Sequence, residues 1–131
     1  MTRTPAAPVG AGTASTLRLV QGTAVLALLV LLWQFATAGR LVGGSDVLGA
    51  HGAGAIALHV ATGLLLVATA LHWRRSDGPV WAVALAAVVF LATFLQAALG
   101  SAGNLTAHVP GALLLTVGTV WLTAWAFRRQ A

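Results

Sequence analysis

Residues 48–73, LGAHGAGAIALHVATGLLLVATALHW, make an apolar run long enough to cross a bilayer, yet the run holds three of the chain's four histidines. Ionisable groups are costly inside hydrocarbon and turn toward a bundle interior or a cofactor, so His51 and His59 are the first functional candidates. The surrounding chain offers no water-soluble alternative. With 59% hydrophobic and 7% charged residues in 131, its apolar surface exceeds what one small core hides, which leaves the lipid bilayer as solvent. The absence of cysteine excludes disulfides, thiolate metal sites and iron–sulfur clusters. The net charge of +5 is carried by too few and too scattered residues to track phosphates, so no nucleic-acid partner is expected.

Residues 1–16, rich in Pro, Gly, Ala and Thr, read as a disordered cytoplasmic tail. Four spans follow, at about 17–38, 48–73, 80–99 and 105–127, separated by the glycine-rich GRLVGGSDVLG, the turn Ser76-Asp77-Gly78-Pro79 and the connection GSAGN. The first span also resembles a secretory signal ending in Ala36-Thr37-Ala38, but it is longer than a usual signal core and is read as retained. The expected fold is all-α: an integral membrane four-helix bundle running up-down-up-down. Arg3, Arg18, Arg74, Arg75, Arg128 and Arg129 fall on one side and only Arg40 on the other, which predicts cytoplasmic termini for a multi-pass protein of the plasma or inner membrane. Trp73, Trp81, Trp121 and Trp125 cluster toward the arginine-rich ends as interfacial anchors.

A weak two-helix repeat is visible. Ala50-His51-Gly52-Ala53-Gly54-Ala55 and Ala107-His108-Val109-Pro110-Gly111-Ala112 share Ala-His-x-x-Gly-Ala, and Gln34 and Gln96 each precede a glycine, Gly39 and Gly100, that reads as closing the helix. His51 lies 23 residues before Arg74 and His108 lies 20 before Arg128, which puts them within about 5 Å of the same depth. His59, 15 residues before Arg74, is about 8 Å deeper than His108. His51, His59 and Thr62 share one helix face, as do His108, Thr116 and Thr119. In an up-down bundle the second and fourth helices are diagonal, so both polar stripes are expected to face the axis, with Gln34 and Gln96 on the other diagonal completing a polar outer half.

Two neutral imidazoles facing each other without thiolates or carboxylates suit haem iron with two axial histidines. His51 and His108 are the expected metal ligands and haem b the expected cofactor, with Gly52, Gly54 and Gly111 giving the macrocycle room and Arg40 placed to pair with the propionates. A chain with single histidines on helices two and four, and with Gln96-Ala97-Ala98-Leu99-Gly100 followed by His108, resembles one half of haem A synthase, and also small four-helix membrane proteins of unknown function. That resemblance implies haem ligation by His51 and His108. Leu48 stands where the family's catalytic half has a glutamate and the paired loop cysteines are absent, so it implies the cofactor-holding half rather than haem oxidation.

The function expected is a b-type membrane cytochrome for electron transfer or haem handling, more a haem-binding protein than a catalyst, with a redox partner or quinone and assembly as a homo-oligomer or complex subunit. The alternative is a cofactor-free scaffold or accessory subunit in which the polar stripe only orders the helices. On that reading His51 sits among headgroups beside Asp46, His59 hydrogen-bonds Thr116 or Gln34, His72 is interfacial, Arg40 pairs with Asp46, and Gln34 and Gln96 stitch helices together. Proton-coupled export lacks its intramembrane carboxylate, since Asp46 and Asp77 both fall in loops, and a copper site lacks methionine and cysteine.

Overall fold

The structure, a computed structural model, describes residues 10–76 and 78–128. Four helices account for nearly all of them: α1 (Gly10–Val42), α2 (Leu48–Ser76), α3 (Val80–Ser101) and α4 (Leu105–Arg128). Each is long and apolar enough to cross a membrane. Helix α1 packs on α2, α2 on α3, α3 on α4 and α4 back on α1, whereas α1 and α3, like α2 and α4, do not approach along their backbones. The bundle is therefore a closed four-membered ring with α2 diagonal to α4.

The helix ends follow from glycine placement. Gly44 (φ 80°) and Gly103 (φ 69°) adopt the left-handed conformation that lets a chain leave a helix. Around Gly44, Ser45 N–H donates to Arg40 O (2.9 Å) and Gly44 N–H to Leu41 O (3.0 Å). Around Gly103, Asn104 N–H donates to Leu99 O and Gly103 N–H to Gly100 O, both at 3.0 Å. These are two copies of one Schellman cap, at the end of α1 and the end of α3. Gly39 and Gly100, expected as the closing glycines, are instead helical; the positive φ falls three to five residues later, at the positions that need it.

Helix α1 also begins earlier than expected. The segment 10–16 is helical where a tail was anticipated, because Thr16 is buried against α2, with its hydroxyl 3.0 Å from Nδ1 of His72. The rest of that tail, residues 1–9 with Arg3, lies outside the described residues, as do Asp77 of the expected turn and Arg129.

The core is made of small and branched side chains. Ala24, Ala27, Ala61, Ala68, Ala82, Ala86 and Ala126 let the backbones close in, and Val20, Leu31, Leu58, Leu65, Val89, Leu115 and Leu122 fill the remainder. Large apolar residues such as Leu29, Leu32, Val67, Val88, Leu91 and Leu114 project outward. In water that much exposed hydrocarbon would drive aggregation; in a bilayer it is the solvated surface of a multi-pass membrane protein. The buried core stops short of one end. In α3 no residue beyond Thr93 is buried, and in α4 none before Leu115, whereas α1 and α2 still bury Leu31, Thr37, Gly54 and Leu58 toward the end that carries His51 and His108.

Candidate bis-histidine site

His51 and His108 are each the fourth residue of their helix, α2 starting at Leu48 and α4 at Leu105. Their backbone N–H groups make the first-turn bonds, to Val47 O (3.0 Å) and Asn104 O (2.9 Å). Asn104 caps α4 by accepting the Ala107 N–H on its side-chain oxygen at 3.2 Å. The same helical phase at both N-termini aims both imidazoles across the diagonal, where their ring centroids lie 6.5 Å apart with an interplanar angle of 71°. Both rings are half-buried.

Each ring is held by its Nδ1. For His108 the partner is the backbone carbonyl of Gln96 at 2.9 Å, an acceptor only, so Nδ1 carries the hydrogen and Nε2 keeps its lone pair. For His51 the partner is Thr37 Oγ1 at 2.9 Å. The Thr37 hydroxyl also lies 2.9 Å from Trp33 O and 3.0 Å from Gln34 O; when its one hydrogen goes to either carbonyl, its oxygen accepts from His51 Nδ1–H. His108 is thus set in the tautomer with a free Nε2 lone pair, and His51 shares it when Thr37 donates within its own helix, the arrangement that outer hydrogen bonds impose on metal-ligating histidines. A metal held through two Nε2 atoms at about 2.0 Å separates collinear ring centroids by about 6.3 Å, so the observed spacing suits one metal ion between the rings.

Supporting residues recur in pairs. The Gln34 amide donates to His51 O at 3.1 Å, and Trp33 Nε1 to Ala50 O at 3.2 Å. A Cβ on Gly54 would lie 2.7 Å from Trp33 Cδ1 and 3.0 Å from Gln34 Nε2, while one on Gly111 would collide with the Gln96 amide. The room expected beside Gly54 and Gly111 for a macrocycle is therefore filled by Trp33, Gln34 and Gln96; only Gly52, with nothing within 4 Å, faces open space. Both glutamine Oε1 atoms are buried without a hydrogen-bond partner. Gly100 has a different role from the one expected: a Cβ there would meet the His108 ring at 3.1 Å, so the missing side chain is the seat of that imidazole.

The remaining sequence candidates are dispersed. His59 points to the α2/α3 seam and stacks on Phe94, with centroids 4.2 Å apart and 28° between planes, and its Nδ1 is buried without a partner. The hydrogen bonds expected to Thr116 or Gln34 do not form, because Thr116 donates to Ala112 O (2.8 Å) and Gln34 to His51 O. His51 is turned inward to His108, and Asp46 is exposed. His72 lies at the level expected but turned inward and buried, against Thr16 and edge-on to Trp125 at 6.1 Å. Arg40 is exposed in the last turn of α1, at the same end as His51 and His108.

Thr37 and Gly100 are the two site residues that sequence reasoning missed. Thr37 sits one turn after Gln34 on the same face, a spacing that could have revealed it. Comparison with protein families, curated proteins and solved structures finds no match. What the site does must follow from its own chemistry.

Proposed function

We propose that this protein is a b-type membrane cytochrome in which His51 and His108 hold one haem iron from opposite sides. The observation that carries this reading is the pair of Nδ1-anchored imidazoles on diagonal helices, their ring centroids 6.5 Å apart. Two imidazoles are an incomplete sphere for a bare ion but a full axial set for iron that already has four porphyrin nitrogens. The sparse burial of α3 and α4 at this end supports the same reading, and a macrocycle there requires Gln34 and Gln96, which fill the notches at Gly54 and Gly111, to move aside or border the ring edge. Haem at this position supplies a one-electron iron couple. The chain's own residues orient it: Thr37 and the Gln96 carbonyl fix the ligand tautomers, and Arg40 is the cation available to carboxylates at that end.

The charge asymmetry supports placing both termini in the cytoplasm and the histidine end outside, in a plasma or inner membrane, with electrons exchanged with a redox partner or quinone. The test is a reduced-minus-oxidised visible spectrum of the protein purified from haem-sufficient cells. Bis-histidine α and Soret bands are expected, and they should vanish in His51→Ala and His108→Ala; a colourless wild type after haem supplementation ends the proposal.

The filled notches favour one competing reading, a cofactor-free scaffold in which Gln34, Gln96 and the two histidines only tie the helices together. It expects colourless membranes and unchanged partner assembly in His108→Ala.

A further inference from the structure

At the arginine-rich end, two clefts open on the outer surface of α4 and meet at Trp121 and Arg128. One, of about 290 Å³, is walled by Trp81, Trp121 and Trp125. The other, of about 270 Å³, runs down α4 past Ala124, Val120 and Val117 to Thr116. We infer that these clefts form a binding site for one anionic glycerophospholipid of the adjoining leaflet, with its phosphate on Arg128 and its acyl chains in the two clefts.

Length, chemistry and charge converge on that occupant. From Arg128 to Thr116 the groove follows 12 residues of helix, about 18 Å, against about 15 Å for one leaflet of a bilayer's hydrocarbon. Its floor is apolar along this length, because the Thr116 hydroxyl is satisfied inside α4 by Ala112 O at 2.8 Å. The indole wall is preformed: Trp81 meets Trp125 edge-on at 5.4 Å, and Trp125 meets the buried His72 at 6.1 Å. Indoles are at home at headgroup level, and a guanidinium matches a phosphate with two parallel hydrogen bonds. Among the described residues the same end carries Arg18, Arg74, Arg75 and Arg128 and no acid, so a zwitterionic headgroup would leave that field uncompensated.

Quenching of tryptophan fluorescence by brominated acyl chains tests this directly. Full-length protein is reconstituted in phosphatidylcholine bilayers with rising fractions of brominated phosphatidylglycerol or, in parallel, brominated phosphatidylcholine. Phosphatidylglycerol is expected to occupy the site about fivefold more readily than its bulk fraction predicts. Arg128→Gln should bring that preference close to unity, Arg75→Gln and Arg40→Gln should leave it intact, and millimolar inorganic phosphate should not compete. Equal quenching by the two lipids in wild type overturns the inference. So does an equal loss in Arg75→Gln and Arg128→Gln, which would mean diffuse attraction to a charged surface, and so does competition by inorganic phosphate, which would make the site an anion site with no lipid.

Discussion

An imidazole becomes a committed ligand when something else decides which nitrogen keeps its hydrogen. On the proposed reading Thr37 does so for His51, by accepting from its Nδ1–H, and the Gln96 carbonyl for His108. Thr37→Val keeps the shape and removes the acceptor, so haem affinity, measured by titration of apoprotein, should fall by about tenfold while the fold survives. The His108 partner is main chain and cannot be deleted, but its seat can. Gly100→Ala places a methyl 3.1 Å from the ring, and the expected outcome is a shifted or weakened α band with no comparable change in His51-side variants such as Gly52→Ala, where the space is open. A spectrum unchanged by Gly100→Ala would mean that the His108 ring is not held where it is seen.

At the scale of the element, each helix pair is ended and restarted by local chemistry. Gly44 and Gly103 hold left-handed conformations that an L side chain resists, so Gly44→Ala and Gly103→Ala should each cost about 1 kcal/mol, read as a lower midpoint of denaturant-induced unfolding in detergent. Asn104→Ala removes the α4 cap and should cost a similar amount, about 1 kcal/mol. It should also loosen His108, whose N–H bonds the Asn104 carbonyl three atoms from that cap. The repeat visible as Ala-His-x-x-Gly-Ala has its physical counterpart at this scale: the same cap, the same fourth-residue histidine and the same glutamine seated against a glycine, once in α1 and α2 and once in α3 and α4.

Across the whole molecule, the closed ring of helices separates two ends with different occupations. One is packed with alanine and leucine and ringed by tryptophan and arginine; the other is lined by two histidines and two glutamines without buried hydrophobic filling in α3 and α4. Orientation can be measured cleanly because the chain has no native cysteine. Ser45→Cys and Ser101→Cys, at the histidine end, should react with a membrane-impermeant maleimide in intact cells, and Ser76→Cys should react only after permeabilisation. The reverse pattern would place the histidine end inside and invert the proposed topology.

The four spans, their antiparallel order and the histidine pairing were legible in the sequence because each depends on short-range quantities: hydropathy over about 20 residues, glycine at turns, and distance along a helix at 1.5 Å per residue. Counting back from Arg74 and Arg128 brought His51 and His108 level without knowledge of any contact. Rotation about the helix axes was not accessible in that way, since it is fixed by which side chains interlock between helices. Tertiary packing alone turned His59 onto Phe94, buried His72 beneath Thr16, gave Thr37 and Gly100 their places beside the two rings, and filled the Gly54 and Gly111 notches with amides. In an apolar segment every face is compatible with lipid, so the linear pattern specifies depth, and only the neighbouring helix specifies direction.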